Sequence, residues 1–192
     1  MVDFAIISIY KHLNRGSTMS KTEENLKAAF SGESQARNKY TYFAKVAHKE
    51  GLHYIGKLFE ETAENEKRHA KDEFNLLNGI SDTAANLKEA IEGEHYETTK
   101  MYVDFAADAE AEGNVDAARL FKQILKVEAH HRDRYKKLLE MVESGTVFKR
   151  DKAIEWKCSI CGYVVNNTEP PKKCPCCQHP QEYYEPSDLS II

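Results

Sequence analysis

Cysteine is missing from the first 157 residues of this 192-residue chain; all five cysteines fall between Cys158 and Cys177. A secreted disulfide scaffold spreads its cysteines through the fold, whereas clustering in C-x-x-C pairs points to metal in a reducing compartment. Long apolar runs are missing as well. No stretch approaches the ~20 residues a membrane helix needs, so no membrane partner is expected. The apolar segment Phe4 to Tyr10 is preceded by Asp3 and followed by Arg15-Gly16-Ser17. It lacks the basic start, longer core and small-residue cleavage site of a secretory signal. Residues 1–18 read as a dispensable N-terminal extension, with Met19 as an alternative start. Basic charge is also in short supply. With 27 Lys and Arg against 31 Asp and Glu, the net charge is −4 and no basic stripe stands out, so no nucleic-acid partner is expected.

What is present is helical periodicity. Four long helices are expected: Lys21 to Glu50, Leu52 to Leu77, one from after Ser81-Asp82 to Gly113, and one from after Asn114 to about Ser144-Gly145. Gly51 and Asn78-Gly79 are stop signals, and Ser81-Asp82 can cap a start. The first pair of helices repeats in the second at an offset of 62 residues. Tyr40 matches Tyr102, Phe43 matches Phe105, Glu50-Gly51 matches Glu112-Gly113, Glu66 matches Glu128, and His69 matches His131. A duplicated helix hairpin explains one register for Tyr, Phe, Gly, Glu and His together.

Each helix carries a seam of the kind that faces a bundle core, yet the middle of these seams is polar. Glu33, Glu66, Glu94, Glu97 and Glu128 converge there with His69 and His131, and Arg37 is the lone seam cation. Unpaired carboxylates removed from water must pair, protonate or bind metal. Two divalent ions would supply about four positive charges, close to balance. Glu66-x-x-His69 and Glu128-x-x-His131 place both side chains of each pair on one helix face. Ferritin-like di-metal bundles use this set: one Glu from each of two helices and Glu-x-x-His from each of the others. Oxygen-rich ligation with two imidazoles suits iron or manganese. A single Glu-x-x-His is usually a solvated helix face, but two copies in a repeat, with Glu33 and Glu94 on partner helices, favour the metal. Glu73 has Tyr135 as its repeat mate and reads as structural. His48, His95 and His130 have no repeat mates of their kind and read as surface residues or as hydrogen-bond partners of the ligands. Tyr40 and Tyr102 fit as plain core aromatics, and their position about two turns from Glu33 and Glu94 also suits hydrogen bonding to ligating carboxylates.

After Gly145 a charged linker, 146–155, leads to Trp156-Lys-Cys158-Ser-Ile-Cys161-Gly-Tyr163 and then Cys174-Pro-Cys176-Cys177. Two C-x-x-C knuckles imply a tetrathiolate site of Cys158, Cys161, Cys174 and Cys177, with Cys176 a free thiol. Spacing alone fits iron and zinc equally, and a zinc ribbon that merely folds the tail is the alternative.

Together the segments Phe30-Ser-Gly-Glu33-Ser-Gln-Ala, Glu66-Lys-Arg-His69, Gly93-Glu94-His-Tyr-Glu97, Glu128-Ala-His-His131 and the paired knuckles resemble the rubrerythrin family, over about Lys21 to Pro186. The resemblance implies an all-α four-helix bundle of the ferritin-like class, 19–145, with a small rubredoxin-like domain, 156–192. It implies two irons in a carboxylate-bridged site and a third iron on the four cysteines. It also implies that Glu97 competes with His69 for one iron as the redox state changes, which gives both a catalytic role beside Tyr40 and Tyr102. The implied activity is a cytoplasmic peroxidase that reduces hydrogen peroxide to water. Its electrons come from rubredoxin or an NAD(P)H-dependent reductase through the cysteine-bound iron. A ferroxidase or an iron-storage protein is the alternative.

The connection between the second and third helices is only about Gly79 to Asp82. Four extended residues span at most ~14 Å, while helices of this length run about 40 Å. The chain therefore forms either a plain up-down bundle or, as favoured here, a homodimer that exchanges helix hairpins.

Overall fold

The computed structural model describes residues 20–189, so the expected extension 1–18 lies outside the described residues. The described chain divides into two compact units at residues 82 and 83. The first is a helix hairpin of α1 (Lys21–Lys49) and α2 (His53–Leu76). Ser20 caps α1 by accepting a hydrogen bond from the Glu23 backbone N–H, and Glu23 and Glu24 sit where the helix dipole favours negative charge.

The second unit contains α3 (Thr83–Tyr96), a π-helical segment (Glu97–Met101), α4 (Tyr102–Ala111) and α5 (Val115–Ser144). The expected third helix is thus interrupted in its middle. Its second half, α4, forms a hairpin with α5 through a turn that copies the turn between α1 and α2. Gly51 and Gly113 have φ of 80° and 73°. Across each turn the backbone N–H of the next residue reaches back to an alanine carbonyl, Leu52 to Ala47 and Asn114 to Ala109, both at 2.8 Å. Positive φ at this point is cheap for glycine and costly for other residues, so each helix stops and reverses here.

The duplication extends into the packing. Ala44 and Ala47 are buried in one hairpin, as are their mates Ala106 and Ala109 in the other. Tyr40, Phe43 and Phe59 form an aromatic trio whose ring centroids lie 5.7–6.2 Å apart, and Tyr102, Phe105 and Phe121 repeat it at 5.7–6.3 Å. A clamp between neighbouring helices recurs as well. His48 Nε2 lies 3.1 Å from Glu60 Oε1, and at the same repeat positions Lys122 donates to Glu110.

Residues beyond α5 form a three-stranded antiparallel sheet in the order β2-β1-β3, from β1 (Ile154–Cys158), β2 (Val164–Asn167) and β3 (Tyr184–Pro186). Trp156 is fully buried and donates from its indole nitrogen to the Asn167 carbonyl at 3.0 Å. Around it lie Cys158, Cys174 and Tyr184, with Phe148 and Ile154 packed against them. The Arg150 N–H donates to Thr168 O, and its guanidinium lies 5.2 Å from the Trp156 ring centre. The stretch expected as a linker, 146–155, therefore supplies Phe148, Arg150 and Ile154 to the module. Among the described residues no helix is long and apolar enough to cross a membrane.

Candidate metal centres

Each hairpin presents one carboxylate–imidazole trio. On α1 and α2, Glu33, Glu66 and His69 bring their ligand atoms within 4.8 Å of one another; on α3 and α5, Glu94, Glu128 and His131 do the same. The geometry is nearly identical. His69 Nδ1 is 2.9 Å from Glu66 and 3.7 Å from Glu33, while His131 Nδ1 is 2.7 Å from Glu128 and 3.6 Å from Glu94. The i,i+3 spacing on α2 and α5 makes each Glu–His pair, and the neighbouring helix adds the third member.

The electrostatics show strain that a cation would relieve. A hydrogen bond to Glu66 raises the Glu33 pKa, with burial and the Glu66 charge adding to it. The same bond, together with His69, lowers Glu66. The two carboxyls are thus pushed apart, Glu33 upward and Glu66 downward. His69 is raised chiefly by its bond to Glu66. In the other trio, burial and then the charges of Glu128 and Glu97 push Glu94 up to about 7. Its Oε2 is buried with no hydrogen-bond partner among the described residues. An orphaned carboxylate oxygen beside a second carboxylate and an imidazole suits a hard or borderline metal ion.

Glu97 is the first residue of the π segment, and burial, followed by the Glu128 charge, raises its pKa. Tyr102 is raised by burial and then by Glu97, Glu128 and Glu94, which places its phenol beside these carboxylates. Tyr40 packs its ring on Phe43 and Phe59.

Three features escaped the sequence reading. Glu73, taken there as structural, has a buried Oε2 without a partner among the described residues, and it raises the pKa of nearby Glu33. Its place on the α2 seam one turn beyond His69 was the available signal. Thr98 is buried and donates to the Glu94 and His95 carbonyls at 2.8 and 3.0 Å, and Arg132 reaches the Thr98 hydroxyl at 3.4 Å. These bonds serve carbonyls in the widened turn. The π segment itself was legible in the repeat. Gly32-Glu33 and Gly93-Glu94 are 61 residues apart, but Tyr40 and Tyr102 are 62 apart. One extra residue lies between, and a π turn is how a helix absorbs it.

In the C-terminal module, Cys158 Sγ lies 3.7 Å from Cys177 Sγ and Cys161 Sγ lies 3.6 Å from Cys174 Sγ. A tetrahedral ion with metal–sulfur bonds of about 2.3 Å requires sulfur–sulfur edges of about 3.8 Å, so these four fit. Cys176 is exposed and outside the group. The residue after each knuckle has positive φ, 77° at Gly162 and 63° at Gln178. Each turn is closed by a backbone bond, Gly162 N–H to the Cys158 carbonyl at 2.8 Å and Gln178 N–H to the Cys174 carbonyl at 2.9 Å.

Comparison with known proteins matches residues 24–139 to the family model described as Rubrerythrin, and residues 156–185 to that described as Rubrerythrin, rubredoxin-like domain. A rubrerythrin of Porphyromonas gingivalis is 49% identical over 187 residues, covering 91% of this chain and 94% of that protein. A putative rubrerythrin of Methanocaldococcus jannaschii is 46% identical, covering 87% and 93%. A rubrerythrin of Nitratidesulfovibrio vulgaris is 42% identical, covering 86% and 94%.

Proposed function

The chain belongs to the rubrerythrin family of oxidative-stress di-iron proteins, and from that premise we propose that it reduces hydrogen peroxide to water in the cytoplasm. The observation that carries this reading is the pairing, in one chain, of two matched carboxylate–imidazole trios with a four-sulfur cage of metal dimensions. The trios suit a two-electron reduction, and the cage suits one-electron delivery. A storage protein has no evident use for the cage.

In the proposed assignment Glu33, Glu66, His69, Glu94, Glu97, Glu128 and His131 would hold two irons. Cys158, Cys161, Cys174 and Cys177 hold the third. When bound, that pair would supply the two electrons that, with two protons, convert H2O2 to two waters. The side chains do the rest. The carboxylates would hold the irons as their charge changes, and Glu97 would alternate with His69 as a ligand. Tyr102, kept protonated by burial and by Glu97, donates to a ligating carboxylate and orients it, and Tyr40 does the same from its repeat position. Electrons reach the cysteine-bound iron from rubredoxin or an NAD(P)H-dependent reductase.

We also propose a homodimer with exchanged hairpins. Six residues, 77–82, join α2 to α3 and reach at most ~21 Å, less than the ~36 Å length of a 24-residue helix. A di-iron site needs both trios, so the hairpin of one chain meets the second unit of its partner.

Metal analysis with an optical spectrum tests the activity. The expected result is about three irons per chain and iron–thiolate bands that bleach with the donor and return on adding peroxide. Zinc in the cage would remove the electron path, and bands that return only when ferrous iron is consumed would identify a ferroxidase.

A further inference from the structure

We propose that His48 and His53 form a further metal site, apart from the carboxylate trios and the cysteine cage. It takes one divalent ion of the zinc–copper class through the two Nδ1 atoms.

The two rings meet at the turn between α1 and α2. His48 lies in the last turn of α1 and His53 opens α2. Their Nδ1 atoms are 3.2 Å apart and their ring centres 5.5 Å apart, so the nitrogens point at each other. On its other side His48 Nε2 lies 3.1 Å from Glu60 Oε1. A carboxylate only accepts, so this bond places the ring proton of neutral His48 on Nε2 and leaves Nδ1 as a lone pair. A carboxylate behind an imidazole whose far nitrogen is bare is the arrangement that orients a metal-binding histidine.

The lone pair of His48 thus faces a second ring nitrogen. Either His53 carries its proton on Nδ1 and donates it, or two lone pairs share a cation. A tetrahedral ion with metal–nitrogen bonds of about 2.0–2.1 Å has nitrogen–nitrogen edges of about 3.3–3.4 Å, close to the gap found. His53 is exposed, so its ring can turn to aim both lone pairs at one ion. Paired imidazoles suit zinc and copper, and water would fill the remaining positions.

The duplication supplies an internal control. At the 62-residue offset His48, His53, Gly56 and Glu60 correspond to Glu110, Val115, Ala118 and Lys122. The second hairpin holds this corner with an ordinary ion pair, Lys122 to Glu110. In the first hairpin all four residues differ together, and Gly56 is the informative one. A Cβ there would lie 2.6–2.8 Å from Cε1, Nε2 and Nδ1 of His48, too close for the ring to stay. Its mate Ala118 carries that methyl where the residue matching His48 is a glutamate. Glycine inside a helix is less favourable than alanine, so helix stability is lost in seating this ring against α2. An ordinary surface histidine would turn to solvent and need no such seat.

The test uses the full-length, iron-loaded protein dialysed against zinc chloride, with zinc and iron counted per chain. Wild type should hold one zinc more than His53→Val, with equal iron in the two. Valine is what the second hairpin carries at this place, so the same turn accepts it. Gly56→Ala, which displaces the His48 ring, should lose the extra zinc as well. Glu60→Gln keeps an acceptor for His48 but removes the charge, and its zinc affinity should fall on the order of tenfold. Equal zinc in wild type and His53→Val overturns the proposal and leaves an N–H···N bond between two imidazoles. Should the variants misfold, wild type alone decides by diethyl pyrocarbonate labelling mapped by mass spectrometry. Zinc should protect His48 and His53 together, and labelling of this pair that zinc leaves unchanged refutes the site.

Discussion

At the scale of single residues, the candidate site is a set of side chains that fit poorly without metal. Glu94 shows this most clearly. Its pKa of about 7 lies above the 4.5 expected of an exposed glutamate, owing to burial first and to Glu128 and Glu97 next. The sign of the linkage follows. Between pH 4.5 and about 7 the folded chain holds a proton on Glu94 that the unfolded chain has lost, so stability falls as pH rises through that window. The penalty is fully present above pH 7 and absent below 4.5. Glu94→Gln removes the titration while keeping the shape. For metal-free protein, the melting temperature of Glu94→Gln should exceed that of wild type by a margin that grows from pH 5 to pH 8. With iron bound the order should reverse, because the wild-type carboxylate then faces cations. A margin independent of pH in the metal-free pair would mean that Glu94 is not held above its ordinary range.

At the scale of elements, the π segment is the part of the fold that departs from simple repetition. In α1 Tyr40 lies seven positions after Glu33, whereas Tyr102 lies eight positions after Glu94. Seven suffice to keep a carboxylate and a tyrosine in one seam, as α1 demonstrates with unbroken α-helix. The extra residue is therefore not needed for Glu94 or Tyr102, and its effect falls on Glu97, at the start of the wide turn. Deleting Thr99 should restore an α-helix, leave iron content near the wild-type value, and reduce peroxide turnover at least tenfold. Loss of the di-iron pair in that deletion would show that the wide turn positions Glu94 as well. Much of the surrounding architecture was legible in the sequence. Glycine stops, seam periodicity and the repeat placed the helices within a residue or two, and the spacing of Glu66, His69, Glu128 and His131 placed both trios. The π turn was harder to see, because one inserted residue rotates a helix face by about 100° without altering composition. The 146–155 stretch was misleading for another reason. Its charges read as linker, but in so small a core Phe148 and Ile154 are enough to tie it to Trp156.

At the scale of the whole molecule, the question is which chain supplies each half of a di-iron site. Each trio is complete within its own hairpin, so a lesion in one trio can be followed independently of the other. Glu66→Ala should destroy the first trio and Glu128→Ala the second, and each homodimer should lack both di-iron pair and turnover while keeping the cysteine-bound iron. The two variants are then unfolded and refolded together. In an exchanged heterodimer, one site joins the damaged hairpin of the first chain to the damaged hairpin of the second, and the other site joins the two intact hairpins. One site of two is then whole. Random pairing makes half the dimers mixed, so about a quarter of the wild-type turnover should return. In a dimer without exchange, every site lies within one chain and keeps one lesion, and mixing restores nothing. Verified heterodimer with no turnover would leave the six-residue connection to be explained by an up-down bundle closed within a single chain.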